Sequence, residues 1–330
     1  MLTYILRRAL YSIPVLIVAS FLTFGMVSAT FDPTEKFRGP HGPGTNPADI
    51  ARVIAQERAR TGTDKPLVRQ YLHYMAGVAH GDFGSSWATR EPVSDRLWRA
   101  FGFTLQIITW GVVISAIIAI SIGVYSAVRQ YSVGDYVFTG LAYIGIAMPP
   151  FWFALVANQF LALELPGWLG LNSKVFYFVG LHSVDKSGFN VDYLQHLFLP
   201  VMTLTVQIIA SWSRFQRSSM LDVLSSDYVR TARAKGVPRS RVVRRHALRN
   251  ALIPIVTVMA LDIGALFGGL IITEKIYSIP GMGTLFLSAF QEGDLPVIMA
   301  YLIVTSIFII VFNLLADVLY SWLDPRIRLS

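Results

Sequence analysis

The chain has 330 residues, 54% of them apolar and only 15% charged, with a mean hydropathy of +0.52 and no cysteine. This composition points to a polytopic membrane protein rather than to two soluble domains, and the missing cysteines exclude disulfides and thiolate metal sites. A formal charge of +8 raises nucleic acid as a partner, but no nucleic-acid module is present and the basic residues lie within reach of lipid headgroups, which argues for no nucleic acid.

A helix needs about 20 largely apolar residues to cross roughly 30 Å of hydrocarbon. Six segments qualify, at 9–29, 104–128, 136–162, 196–213, 250–272 and 297–319. The expected fold class is therefore an all-α polytopic membrane protein with six transmembrane helices. In the first segment Arg7 and Arg8 precede an apolar run ending in Val27, Ser28 and Ala29, which resembles a cleaved secretory signal. The run is longer than a signal core and five spans follow, which predicts a retained helix over 1–29.

Residues 30–100 form the one sizeable insertion, rich in Pro, Gly and mixed charge. Helical spacing over Asp49–Ala59 and Pro66–Val78, with Leu67, Tyr71, Met75 and Val78 on one face, predicts a cap of short helices. The remainder, 101–330, is the expected five-helix core. Between the third and fourth spans, 163–195 carries Trp168, Phe176, Tyr177, Phe178 and Tyr193, as interfacial aromatic anchors do. Thr273–Pro296 contains Pro280-Gly281-Met282-Gly283 before apolar Leu285, Phe286 and Leu287, a turn followed by a re-entrant or surface helix.

Lys and Arg accumulate in cytoplasmic loops. With both termini inside, inner segments hold 15 basic against six acidic residues and outer segments 13 against 14. The opposite orientation would reverse the rule, so the insertion at 30–100 is expected to be extracytoplasmic.

Most of the inner charge sits at 214–249, where ten Arg and Lys face two Asp between apolar segments. Such a stretch cannot lie in lipid. Its pattern predicts two short basic helices broken at Gly236-Val237-Pro238, offering a docking face to a cytosolic partner. Ala232, Ala234 and Gly236 permit close approach, while the Arg and Lys are available for acidic groups or lipid phosphates.

No phosphate-cradling glycine loop or nucleophile elbow occurs, and the six His are scattered without ligand spacing, so neither nucleotide hydrolysis, hydrolase chemistry nor a metal site is expected. A charge at the bilayer centre costs at least about 2.5 kcal/mol, so Asp262 in the fifth span needs an explanation. It either lines a pathway or hydrogen-bonds a neighbouring helix. Asp317, near the end of the sixth span, reads as structural. Gly264 and Gly268, four apart, mark a helix-packing face, within the chain or against a second subunit. Pro149 and Pro150 remove backbone donors and should kink or break the third span.

Taken together, these segments resemble the permease subunits of bacterial ATP-binding-cassette importers of the dipeptide, oligopeptide and nickel group. The resemblance begins at Leu6-Arg7-Arg8, continues in Gly81-Asp82-Phe83-Gly84-x-Ser86 with Pro92-Val93, and in Met148-Pro149-Pro150-Phe151-Trp152. Its most specific parts are Tyr228–Gly236, His246–Pro254, Pro280–Gly283 and Asp324-Pro325-Arg326. It implies a type I importer permease fold in the bacterial inner membrane. The basic loop would be the segment seated on an ATPase subunit, with Thr231, Ala232 and Gly236 at the core of the motif and Arg230, Lys235, His246 and Asn250 beside them. Arg230 stands where the general pattern has Glu, and Arg249 where it has Pro, departures common in the peptide group.

The resemblance further implies a second, homologous permease, two ATPase subunits that bind ATP and Mg, and an extracytoplasmic peptide-binding protein, with no cofactor in this chain. Two rivals remain at this point. One is an ion-coupled secondary transporter using Asp262. The other is a membrane receptor or scaffold that moves no substrate.

Overall fold

The structure, a computed structural model, describes residues 2–38 and 46–323. Asp324, Arg326 and Arg328 lie outside the described residues. Fourteen α-helical segments follow one another with no β-strand among the described residues.

The first helix, α1 (Leu2–Thr30), is followed by the two short helices of the insertion, α2 (Pro47–Thr61) and α3 (Leu67–Ala79). The Asn46 side chain caps α2 by accepting from the Ala48 amide, and Gly62 ends it at φ 72°. Tyr71 of α3 is buried against Phe21 and Phe24 of α1, and its hydroxyl bonds Ser20 at 2.8 Å. The insertion is thus fastened onto α1.

Helix α4 (Val93–Val128) and helix α8 (Val191–Leu224) are 36 and 34 residues long and form the most extensive helix pair. Small residues set their spacing. A Cβ added at Gly111 would lie 2.6 Å from Leu204, and one at Gly123 would lie 2.7 Å from Gln216. Where lipid tails are as apolar as the side chains, close van der Waals approach of this kind is what holds helices together.

Between them the expected third span, 136–162, is two helices. Helix α5 (Val133–Ala147) and helix α6 (Pro150–Ala157) meet at a bend of 105°. The break is local chemistry: the residue before a proline is pushed out of the helical region, and Met148 accordingly sits at ψ 120° ahead of two prolines without amide hydrogens. Helix α6 continues through a π-helical stretch, Asn158–Glu164, into the short α7 (Leu165–Trp168). The aromatic residues beyond it fold largely inward: Phe176 stacks on Phe198, and Tyr177 on His196. Trp168 stays exposed.

After α8 come α9 (Asp227–Ala234), α10 (Arg239–Arg241), α11 (Leu248–Gly269), α12 (Ile271–Ile276), α13 (Met282–Glu292) and α14 (Leu295–Leu323). Five helices are long and apolar enough to cross a membrane, or six with the bent α5–α6 pair taken as one span. Two hydrophobic clusters fill the body. One joins α1, the start of α4, α13 and α14; the other joins mid-α4, α6, α8, α11 and α12. At the far end of α1, Arg8 pairs with Asp317 of α14 at 2.7 Å.

Candidate functional site

The basic region is less of a loop than its sequence suggests. Helix α8 runs on past 213 to Leu224, so Arg214 and Arg217 are helical residues facing α5. Arg217 grips Asp135 with two bonds of 2.8 and 2.9 Å, and Arg214 lies over the Tyr143 ring at 4.4 Å. These two charges are satisfied within the chain.

The elbow proper begins at Ser226, whose extended backbone turns the chain into α9. Asp227 in the first turn complements the helix dipole. At the other end the Val237 amide donates to Ala232 O at 3.2 Å and the Gly236 amide to Arg233 O at 2.9 Å. That pair of bonds is a Schellman closure, which requires a left-handed residue, and Gly236 supplies it at φ 76°. Pro238 then starts α10 and prevents α9 from continuing. The second arm is not a separate helix. Helix α10 passes through a π-helical turn, Val242–Ala247, directly into α11, so Arg239–Gly268 is one apolar-ended helix.

Each arm is anchored by one fully buried valine, Val229 and Val242, each contributing about 1.5–3 kcal/mol of burial. Beneath the second arm Met220, Ala247 and Ala251 pack with the end of α4 at Ala127. Arg239 donates to the Val128 carbonyl at 2.8 Å, an acceptor left without a partner by the end of α4. Asn250 bridges the arms: its side-chain amide donates to the Tyr228 hydroxyl at 2.9 Å and to His246 O at 3.2 Å.

What remains outward is Arg230, Thr231, Lys235 and Gly236, exposed, with Ala232 and His246 half-buried. Thr231 is held by its hydroxyl on Asp227 O at 2.9 Å. Arg230 lies 3.8 Å from Asp227, but both are so exposed that the pair is worth little. Arg233, Arg244, Arg245 and Arg249 add to the same basic exterior. The elbow is therefore a rigid, positively charged knuckle with a small-residue crest and no reactive group.

In the spans, Asp262 accepts a 2.7 Å hydrogen bond from the indole of Trp212, itself buried on α8. Gly264 and Gly268 face α14: an added Cβ would lie 3.0 Å from Phe312 and 3.3 Å from Thr305, respectively. The packing face is thus occupied within the chain.

Two polar knots on the opposite end from the elbow escaped sequence reasoning. Glu274 of α12, fully buried, accepts from the Thr104 hydroxyl at 2.5 Å and the Thr284 amide at 3.0 Å, while Thr104 Oγ1 accepts from the Met282 amide at 2.8 Å. The carboxylate therefore sits at the start of α13, where a helix favours negative charge. Burial pushes its pKa above the ordinary glutamate value, with the Thr104 and backbone bonds only partly offsetting it. The second knot is Asp294, fully buried, which accepts from the Ser86 hydroxyl and from the Trp87 amide at 2.9 Å. Ser86 lay within a motif already singled out; the signal for Asp294 was a short polar residue directly before the last apolar run.

A family profile described as "Binding-protein-dependent transport system inner membrane component" matches residues 119–329, and the N-terminal profile of the same transport systems matches 1–108. The chain belongs to this permease family. It is 37% identical to the oligopeptide transport system permease protein AppB of Bacillus subtilis over 99% of this chain and the whole of that relative. It is also 37% identical to the dipeptide transport system permease protein DppB of Escherichia coli, over 99% of both chains. With the glutathione transport system permease protein GsiC of Salmonella typhimurium the identity is 39%, again over 99% of both. The permease is a transport subunit rather than an enzyme, and a multi-pass membrane protein.

Proposed function

We propose that this permease forms half of the translocation pathway of an ATP-driven importer for short peptides, and that it works beside a second, homologous permease, two ATPase subunits and an extracytoplasmic binding protein. The observation that carries the coupling assignment is the elbow: two arms pinned by Val229 and Val242, closed at Gly236 and bridged by Asn250, with its small and basic residues left outward. The names of the relatives support a peptide cargo, since di- and oligopeptides and the tripeptide glutathione share a peptide backbone and charged ends. The excess of basic residues on the elbow side supports cytoplasmic termini and an extracytoplasmic insertion.

In this reading the chemistry of ATP stays in the partner ATPases, which would take up Mg and nucleotide, and this chain transmits. Closure of the ATPases shifts the elbow, and the paired spans alternate between inward and outward access. Two global states are then biased by nucleotide at one end and by loaded receptor at the other. Asp262 is assigned to the wall between α8 and α11, where the Trp212 bond supports a fixed carboxylate.

The test is purification of the tagged chain in mild detergent from its native membrane, with mass spectrometry of what accompanies it. A second permease and ATPase subunits should be recovered with the wild-type chain, and the ATPases lost with Gly236→Glu. Space around Gly236 is open but its φ is 76°, so Gly236→Asn, which tolerates that conformation and adds no charge, is run beside that variant and should keep the ATPases bound. A wild-type chain that purifies alone, from cells expressing the partners, would sink the proposal.

A further inference from the structure

One face of α8, at residues 207, 210, 214 and 217, lies along the whole of α5 and meets it through a series of polar and close contacts. Nearest the helix break, Gln207 donates to the Met148 carbonyl at 3.0 Å, an acceptor that the prolines at 149 and 150 leave outside regular helical pairing. One turn on, Ala210 meets Gly145, where an added Cβ would lie 3.0 Å away. Arg214 then covers Tyr143, and Arg217 closes the series with its two-pronged grip on Asp135. Asp135 is 3% exposed and also accepts from the Tyr131 amide at 3.0 Å.

Such a seam resists sliding. Moving α5 by even one turn along α8 would strand a buried carboxylate and a guanidinium, whose separation costs far more than their pairing gains. It would also uncover the Met148 carbonyl. The contacts from α5 to α4 are of another kind, a ring edge between Tyr125 and Phe138 and close packing of Tyr125 on Gly134, and they have no such polar register.

We propose that Arg217 and Asp135 are positioning residues of the transport cycle: they fix α5 to α8, so that movement imposed at the elbow end of α8 reaches the helix break at Met148–Pro150 without loss. The proposal rests on the transport reading above. It makes α5 and α8 one moving body and puts the joint of the bent span at the two prolines.

The test uses the complete complex in proteoliposomes. Because the chain has no cysteine, Gly145→Cys with Ala210→Cys introduces a single cross-link across the seam, needing only a small outward shift to reach disulfide spacing. The cross-linked complex should keep its uptake. Uptake lost on oxidation and regained on reduction would show that α5 slides on α8, and would overturn the proposal. In parallel, Arg217→Gln and Asp135→Asn should lower uptake per ATP hydrolysed by about tenfold, within the range typical of coupling between sites, with the ATPases still bound. Arg217→Lys, which keeps the charge but not the fork, should recover part of it. Uptake per ATP unchanged in these variants, or uptake falling only in step with ATPase loss, sinks the seam while leaving the transport reading intact. A wild-type complex that hydrolyses ATP without uptake would remove both.

Discussion

Gly281→Ala offers the sharpest check on the outer polar knot. Gly281 is at φ −88°, a backbone region open to any residue, so the substitution carries no conformational penalty of its own. Its cost is steric. The added methyl would sit 2.3–2.6 Å from the three terminal atoms of Glu274, and Glu274 is fully buried and hydrogen-bonded where it stands. The carboxyl must leave the Thr104 hydroxyl and the Thr284 amide, two hydrogen bonds to a charged group worth about 1.5–3 kcal/mol each. The expected loss is about 3–6 kcal/mol, above the roughly 1–3 kcal/mol of ordinary overpacking. At about 2–4 °C per kcal/mol for a mid-sized domain, the lower end of that loss takes the melting midpoint of the purified chain down by roughly 6–12 °C. A midpoint within about 2 °C of wild type would refute the steric account. The double variant with Glu274→Ala removes the obstruction and should be no worse than Glu274→Ala alone, a non-additivity that a melting series reads directly.

The same carboxyl sets a pH dependence. Its folded pKa lies above the ordinary 4.5, so the folded chain holds the proton more tightly. The stability that this group contributes is full below pH 4.5 and declines as pH rises towards the raised value; Glu274→Gln should flatten that decline in melting curves taken across the acid range. At Gly236 the constraint is the reverse of that at Gly281: space is open but φ is 76°. Gly236→Asn, a residue tolerant of this conformation, should therefore keep the fold, and Gly236→Val should cost about 1–2 kcal/mol in denaturant unfolding. Trp212→Phe leaves Asp262 without its indole donor and should destabilise by about 1–3 kcal/mol. Asp262→Asn then separates wall from pathway: altered uptake at an unchanged melting point marks a pathway group, whereas loss of both marks a clamp. Gly264→Leu, driven against Phe312, should lower the melting midpoint and weaken α11 on α14, with Gly264→Ala milder.

Much of this architecture was legible because apolar length and proline placement are local signals. Five of the six expected segments fall on long apolar helices, while the third, 136–162, falls on the pair bent by 105° and counts as a span only with both halves taken together; the double proline accounts for the bend. Helix ends were harder. Nothing in the alternation of apolar residues shows that α8 continues through Arg214 and Arg217, since a charged residue is tolerated at the rim once its partner, Asp135, arrives from a segment some eighty residues earlier. For the same reason the elbow's second arm looked separate from α11, although a π turn joins them. Gly236 was legible in its role because a Gly before a Val-Pro pair is itself a helix-stop signal. Glu274 and Asp294 were not, because their partners Thr104, Ser86 and Trp87 are distant in sequence and only the folded chain reveals that they converge.

The union of elbow and span has a mechanical meaning. From Arg239 to Gly268 the helix has 30 residues, roughly 45 Å at the ordinary rise. It runs through the π turn at Val242–Ala247 and past Pro254 without a break in the helix, so its basic end and its glycine-packed end belong to one lever arm. A tilt of about 5° imposed at the elbow would carry the opposite end through roughly 4 Å over that length, close to the thickness of one side-chain layer. Motion of that size can therefore cross the membrane along α11 without the helix having to unwind.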